Sequence, residues 1–526
     1  MILACQIVLI IVAVIAVIAE FSRTLMMVQQ NSYRTDRYNR YLSTSGETTS
    51  MTKLASCLVM FASVVPGMPL VVSLPIIGVF MLLMSLRQWQ MHKTYKHPVV
   101  WTPRVKRLFA VMCVETVLIV LVAVLLFGWS GVLPVSIALV AIWFASPALA
   151  KGALFVLQPV EKRINQGYIN DAKRILQSMP DLKIIGITGS YGKTSTKHYL
   201  SRILSEKYAV CMTPGSYNTT LGVVRTIREY LKPFDQVFIC EMGAKQIGDI
   251  KEICDLVHPE IGIVTAVGPQ HLESFKCIEN VQRTKFELID ALPADGLAVL
   301  NDDFEYVENR KVDNVLAVRY AIESRPQVKF SVSDIKYSAS GTNFTIITPD
   351  GEFPLHTRLV GECNVSNLVA AVIVALHLGV DKKQIAYAVE QIEQVEHRLS
   401  VKRTPGGVTI IDDAFNSNPT GSAMALDVLA SMTDGKRIVI TPGMIELGEQ
   451  QYQLNAEFGE KIARSVDVAI IVGQYNRDAI LSGLGTPDGV TVHVVDSFTQ
   501  AQSILTQIAG RGDTVLYEND LPDTFK

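Results

Sequence analysis

Every long apolar run in this chain lies before Pro159, and beyond it short β-branched runs alternate with amphipathic segments. That split limits the fold more than any motif does, because a hydrocarbon core and an aqueous α/β sheet require different surfaces. Ile2 to Ala19 is unbroken apolar sequence of about bilayer-crossing length. It has neither the basic start nor the small-residue cleavage site of a signal peptide. Leu54 to Leu86 is longer than one crossing needs, and Pro66-Gly67-Met68-Pro69 interrupts it. Leu108 to Phe127 and Val132 to Leu149 follow, joined by Gly128-Trp129-Ser130-Gly131.

Basic loops stay in the cytoplasm. One loop carries Arg23, Arg34, Arg37, Arg40 and Lys53, and the next carries Arg87, Lys93, Lys96, Arg104, Lys106 and Arg107; the link at Trp129 has no charge. If both basic loops are inside, Leu54 to Leu86 crosses twice, turning at Pro66-Gly67. The expectation is a multi-pass inner-membrane protein of five crossings with an outside N-terminus. Four spans or a re-entrant hairpin is the alternative. Either way, everything after Gln158 is cytoplasmic. Glu115 falls inside an apolar run and is expected to pair with the Arg104–Arg107 cluster about two turns away.

With the membrane part set aside, the remainder is still too long for one domain. The high hydrophobic fraction of 49% and mean hydropathy of +0.28 come from the first part, and a net charge of −2 gives no reason to expect a nucleic-acid partner. The eight cysteines contain no CxxC pair and read as reduced thiols, neither a zinc site nor a disulfide framework. "KIIGIT", "DQVFIC", "EIGIVTAV" and "LAVL" read as buried parallel strands, and so do "VTIIDD", "RIVITP", "DVAIIVG" and "DTVLYEN". The fold class is therefore α/β, two doubly wound domains dividing near His397–Ser400, behind a helical membrane domain. The expected plan is 1–158 membrane, 159–180 linker helix, 181–399 nucleotide-binding domain and 400–526 Rossmann-like domain.

In such sheets ligands sit beyond the carboxyl ends of the strands. "KIIGIT" runs into Gly189-Ser190-Tyr191-Gly192-Lys193-Thr194-Ser195 and then a helical pattern. Glycines there let backbone N–H groups face a polyphosphate, and the helix N-terminus favours its charge. Lys193 would reach the β/γ-phosphates and the Thr194 hydroxyl a Mg²⁺ ion. The usual glycine five residues before Gly192 is absent, with Ile187 in its place. Glu241 ends the "DQVFIC" strand and could hold the same metal. His271 alone reads as a loop histidine, and Lys285 as a solvated helix lysine.

Together these motifs form a series. The loop is followed in order by Thr213-Pro-Gly-Ser-Tyr-Asn218, Glu241-Met-Gly, Gly268-Pro-Gln-His271 and Lys285. Gly361-Glu-Cys-Asn364-Val-Ser-Asn367, His397-Arg398 and Ile411-Asp-Asp413-Ala-Phe-Asn416-Ser-Asn-Pro419 complete it. From Ile184 to its end the chain resembles the Mur ligase family, above all the branch that adds a dipeptide to the peptidoglycan stem peptide. The family's phosphate loop is itself short, which accounts for Ile187.

The resemblance implies a membrane-bound, ATP-dependent carbon–nitrogen ligase of envelope synthesis. ATP phosphorylates a carboxylate, and an amine attacks the acyl phosphate. By analogy Thr194 and Glu241 hold one Mg²⁺, while His271 and a carbamylated Lys285 hold or orient a second. Asn364 and Asn367 would face adenine, Arg398 the phosphates and Asp413 the ribose, with Asn218 and Asn416 at the substrate. The partners implied are an envelope precursor with a free carboxylate, soluble or lipid-linked, and an amino acid or peptide amine.

The departures are specific. The family's UDP-sugar-binding domain is replaced by apolar segments. Cys363 stands where histidine is usual, Ser216 and Thr219 where asparagines are common, and Pro442-Gly443 where Gly-Asp is found. The last strand ends Tyr517-Glu518-Asn519-Asp520-Leu521-Pro522, not in the basic Lys-Gly-Ser-Arg. Oligomeric state is not legible. A poly-amino-acid synthetase, a membrane ATPase and an inactive binding protein are the alternatives.

Overall fold

The computed structural model describes residues 2–45, 98–127, 132–338, 341–415, 417–486 and 489–521, with isolated positions 72, 75, 78, 79 and 82. The expected turn at Pro66-Gly67, the loop residues Arg87, Lys93 and Lys96, the Gly128–Gly131 link, Asn416 and Pro522 lie outside the described residues. Residues 1–166 make one compact unit and 167–520 another.

The first unit contains the helices Ile2–Gln30, Thr35–Thr44, Pro103–Phe127 and Val132–Phe144, and most of Ser146–Gln177. Among the described residues, Ile10–Gln30 and Pro103–Leu126 are long and apolar enough to cross a membrane, by length and composition. A third crossing exists if the bent pair Ala138–Phe144 and Ser146–Gln177 counts as one. The expected straight span Val132 to Leu149 is thus broken by a 77° bend. Pro147 explains it: with no N–H and a fixed φ, proline belongs in the first turn of a helix, not its middle. Nor is 159–180 a separate linker helix. Pro159 lies inside Ser146–Gln177, a helix of 32 residues that tolerates the loss of one backbone hydrogen bond.

Glu115 does not pair with Arg104 and Arg107. Both arginines turn to Glu161, at 3.7 and 2.7 Å, which brings a carboxylate level with them. Glu115 instead faces Gly152, where a Cβ would stand 2.8 Å from its Oε1.

In the second unit, strands buried on both faces read as continuous β-branched runs, as parallel strands must. They are β1 (Lys183–Thr188), β2 (Val210–Met212), β3 (Val237–Glu241), β4 (Ile261–Val264), β5 (Leu297–Asn301) and β6 (Leu316–Tyr320). Their order is β2-β3-β1-β4-β5-β6, all parallel. β1 lies between β3 and β4, where the order reverses, so the loops leaving all three open a crevice there. The helix Glu362–His377 is apolar all round because it is buried in this domain's core, with Leu368, Val369 and Val372 fully enclosed.

A three-stranded antiparallel sheet, β7 (Ser331–Ser338), β8 (Gly341–Thr348) and β9 (Gly351–Thr357), is an addition that the sequence reading did not anticipate. Its strands are half polar, and only alternate residues such as Phe344, Ile346, Phe353 and Leu355 reach the core. Pro354 fits because β9 is an edge strand.

The second parallel sheet runs β10-β11-β15-β12-β13-β14. It comprises β10 (Ser400–Arg403), β11 (Thr409–Asp413), β12 (Arg437–Thr441), β13 (Val468–Val472), β14 (Thr491–Val495) and β15 (Thr514–Glu518). Only β10 is antiparallel to its neighbour. Asp413 and Glu518 therefore both lie at strand carboxyl ends.

Candidate active site

The loop after β1 turns into the helix Lys193–Leu204, whose first-turn N–H groups open onto the crevice. Two glycines make this turn possible. Gly189 has φ +152° and Gly192 φ +81°; a Cβ would meet Thr265 Oγ1 at 2.1 Å and Asn367 Oδ1 at 2.4 Å respectively. The Lys193 ammonium curls over the loop, donating to the carbonyls of Gly189 at 2.6 Å and Ser190 at 3.2 Å. Burial pulls its pKa down to about 8, with Glu241 opposing and Arg398 assisting. Ser190 donates to the carbonyl of Gly268 at 3.0 Å, tying the loop to the one after β4. Tyr191 donates to Thr420 Oγ1 of the second sheet's domain at 2.9 Å.

Glu241, 1% exposed at the end of β3, is the centre of the charge arrangement. Its Oε1 accepts from Thr194 Oγ1 at 3.2 Å and from Asn218 Nδ2 at 3.0 Å. Its Oε2 stands 3.0 Å from Lys197 Nζ, a residue the sequence reading passed over, and pairs with that ammonium. Lys197 is itself wholly buried and donates to the Gly215 carbonyl. Burial alone would raise the Glu241 carboxyl, but Lys197 and Lys193 outweigh it and the net shift is downward. An ionised carboxylate beside a threonine hydroxyl suits Mg²⁺, which takes one or two carboxylates and draws its other ligands from phosphates and water. Among the described residues no three His, Cys, Asp or Glu converge as a closed metal cage.

His271 sits at φ +52° just before the short helix Leu272–Phe275, and its Nδ1 pairs with Glu446, which also attracts Lys245 at 3.6 Å. Glu446 belongs to the second sheet's domain and was not anticipated, because in sequence it is one acid in a loop after β12. Burial holds the His271 pKa down despite Glu446. Lys285, on the helix Ile278–Asp290, is not solvated: it is 2% exposed. Desolvation first, then the charge of Lys193, pushes its pKa well below the ordinary lysine range. His198, also unanticipated, is lowered to about 4 by burial and then by Lys197.

Asn364 turns inward, accepting from Tyr199 Oη at 2.8 Å and donating to the Val360 carbonyl at 2.9 Å. Asn367 accepts from Thr196 at 3.2 Å directly beneath Gly192. Both brace the phosphate-loop helix. Arg398 lies between two left-handed residues, His397 at φ +57° and Leu399 at φ +52°. Such backbone is costly for residues other than glycine and holds the side chain in a defined direction. Its guanidinium covers the Phe415 ring at 4.2 Å and comes 3.5 Å from Thr194 Oγ1, so the segment joining the two sheets reaches the phosphate loop. Asp413 Oδ1 accepts from the Leu399 N–H at 3.1 Å. Ser195 is buried in the helix.

Residues 187–375 match the Mur ligase middle domain, and 397–517 the Mur ligase glutamate ligase domain. The UDP-N-acetylmuramoyl-tripeptide–D-alanyl-D-alanine ligase of Escherichia coli K12 is 28% identical over 365 residues, covering 67% of this chain and 79% of that protein. The structure of MurF from Acinetobacter baumannii is similar at a TM-score of 0.60 and 26% identity, over 67% of this chain and 76% of its own. MurF ligase from Thermotoga maritima in complex with ADP reaches 0.61 at 24% identity, over 68% and 80%, a likeness of fold alone.

Proposed function

This chain belongs to the Mur ligase family through its middle and C-terminal domains, and we propose that it is a membrane-bound ligase joining an envelope precursor's carboxylate to an amine. ATP-dependent carbon–nitrogen ligation is the enzyme class. One observation carries the site assignment: Lys193, Thr194 and Glu241 gather around the loop after β1, and Arg398 reaches Thr194 from the boundary between the two domains. A carboxylate attacking a polyphosphate brings like charges together. Lys193 and Arg398 offset that repulsion in a partly desolvated crevice. Thr194 and Glu241 would hold Mg²⁺, which supplies further neutralisation when bound. Lys197 keeps Glu241 ionised and aimed, and Asn218 fixes its other oxygen. Glu446, which pairs with His271, and Thr420, which accepts from Tyr191, make the site complete only when the two domains are closed.

Lys285 is assigned a carbamate. Only a neutral amine adds CO₂, and burial beside Lys193 favours the neutral amine. The product puts a negative oxygen where an ammonium would repel metal. His271, held by Glu446, stands with it.

The domains are read as 1–158 membrane, a connection that begins within the helix Ser146–Gln177, 181–399 and 400–526, with Arg398 at the last boundary. The membrane part is read as five crossings from its loop charges, placing both catalytic domains in the cytoplasm. Two apolar helices of crossing length among the described residues support that reading. A precursor carried on a lipid would meet the site at the inner leaflet, which gives the helices a purpose.

The test is the detergent-purified protein with ATP, Mg²⁺, pooled envelope precursors and pooled amino acids. Phosphate release that depends on a precursor supports the ligase. Release indifferent to both pools would make it an ATPase.

A further inference from the structure

Residues 1–163 hold fourteen basic side chains against five acids, although the whole chain is net −2. A basic surface by itself only orients a membrane protein. At one place in the first unit it is built into something more specific.

Arg104 and Arg107 stand one turn apart at the start of the helix Pro103–Phe127. They share a single acid: Glu161 lies 2.7 Å from Arg107 Nε and 3.7 Å from Arg104 Nε, with its side chain 10% exposed. Two guanidinium groups on one carboxylate leave one positive charge over. The 3.7 Å approach is too long for a hydrogen bond, and Arg104 Nε, shielded from solvent, has no other partner. A buried donor in that state costs free energy until a ligand accepts from it.

Arg104 is also held in place. Its guanidinium covers the Tyr33 ring at 4.0 Å. Tyr33 and the preceding Ser32 are both left-handed, at φ +59° and +57°. Backbone of this kind persists only where its surroundings fix it, and it gathers at ligand clamps. Gln29 does the fixing: its Nε2 donates to Tyr33 Oη at 3.2 Å and to the Val100 carbonyl at 3.0 Å, and its Oε1 accepts from the Val100 N–H at 2.9 Å. Val100 and Trp101 are themselves 61% and 43% exposed. An exposed tryptophan beside basic residues belongs at the headgroup level of a bilayer. The two arginines therefore stand where lipids carry their phosphates.

We propose that Arg104 and Arg107 form a binding site for a lipid-borne phosphate at the inner leaflet, an inference that rests on the membrane reading above. Guanidinium groups offer paired donors that match phosphate oxygens, and the positive end of the helix adds to the preference. Glu161 does not block the site: one carboxylate cannot satisfy the donors of two arginines, so it holds them together and leaves donors for the ligand. An anionic phospholipid and a precursor tied to its lipid through a diphosphate present the same chemistry.

Native mass spectrometry of the full-length protein, released from a neutral detergent, tests this with equal amounts of phosphatidylglycerol, farnesyl diphosphate and phosphatidylcholine. Phosphatidylcholine carries its own cation and is the reference. The wild type should retain one of the two anionic lipids at least about tenfold more than the reference, the worth of one charge-assisted contact. A preference for farnesyl diphosphate assigns the site to the precursor, and one for phosphatidylglycerol assigns it to the bilayer. Arg104→Gln with Arg107→Gln should bring retention down to the reference. That variant leaves Glu161 without a partner, so a second one adds Glu161→Gln to restore the balance of charge, and it should lose retention equally. Lys162→Gln with Arg163→Gln removes as much charge from exposed positions and should behave as the wild type. The proposal is overturned if the wild type has no preference, if either arginine variant keeps it, or if the Lys162 and Arg163 variant loses it as fully. A chain recovered in the soluble fraction without detergent would contradict the membrane reading itself.

Discussion

Lys197 and Glu241 form an ion pair at 3.0 Å with both side chains essentially removed from solvent. One is on the helix that follows the phosphate loop and the other at the end of β3, so the pair joins the nucleotide cradle to the expected metal ligand. Lys197→Met would leave a buried carboxylate uncompensated, and losing one partner of such a pair typically costs about 3–5 kcal/mol. Urea unfolding should report a loss of that order, and Mn²⁺ binding followed by paramagnetic resonance should weaken. A variant as stable as the wild type would mean that Glu241 is protonated, contrary to the downward shift given by its lysines.

Lys193→Met removes the charge curled over the loop carbonyls, and turnover should fall by orders of magnitude while unfolding is little changed. The check is phosphate release beside a thermal melt. Unchanged turnover would end the assignment of this loop to ATP.

How much of this was legible beforehand depends on how local each signal is. The phosphate loop, Glu241 and the eight quoted strands are contiguous patterns, and the structure has strands at those places. The sheet β7-β8-β9 was missed because its alternation of polar and apolar residues is weak over a short range. Lys197 and Glu446 were missed for a different reason. Each is an ordinary charged residue in sequence and acquires meaning only when packing buries it against Glu241 or His271. The bend after Phe144 was written in Pro147, but hydropathy outweighed it in the reading. Glu115 was assigned to the nearest arginines along the helix, while Glu161 reached them through space.

Lys285 separates two readings by substitution. As a carbamate it supplies an oxygen ligand, so Lys285→Ala should nearly abolish acyl-phosphate formation and Lys285→Arg should be equally inactive. Short carboxylic acids at high concentration should partly restore Lys285→Ala, whose cavity they can enter, and do nothing for Lys285→Arg. Stripping bicarbonate and CO₂ should lower wild-type turnover. An active Lys285→Arg enzyme would remove the carbamate and leave the ligase assignment standing.

Stability should depend on pH through Asp413. Burial raises its folded pKa to about 6, above an unfolded value near 3.9. The sign follows: its contribution is complete below pH ~4 and is lost as pH rises through ~6. Glu518→Gln removes the acid opposite it across β11 and β15, so at pH 7 that variant should be more stable, by on the order of 1 kcal/mol. Calorimetric melts of both proteins at pH 4.5 and 7 make the comparison. A variant less stable at pH 7 would show that the acid pair is already satisfied.

Topology has its own test. With both basic loops inside, a cysteine placed at Gly67 or Ser130 should react with an impermeant maleimide from outside, and one at Arg37 or Lys96 should not. External labelling at Lys96 would reverse the orientation and remove the catalytic domains from the cytoplasm.

The central claim is that the residues around Glu241 pass a phosphoryl group from ATP to a carboxylate before an amine attacks. Envelope precursors whose carboxylates carry ¹⁸O test it most directly, with the released phosphate read by mass spectrometry. The prediction is one ¹⁸O in phosphate for each amide formed, with ADP as the nucleotide product and no labelled phosphate from Lys193→Met. Unlabelled phosphate, or AMP with pyrophosphate, would contradict it.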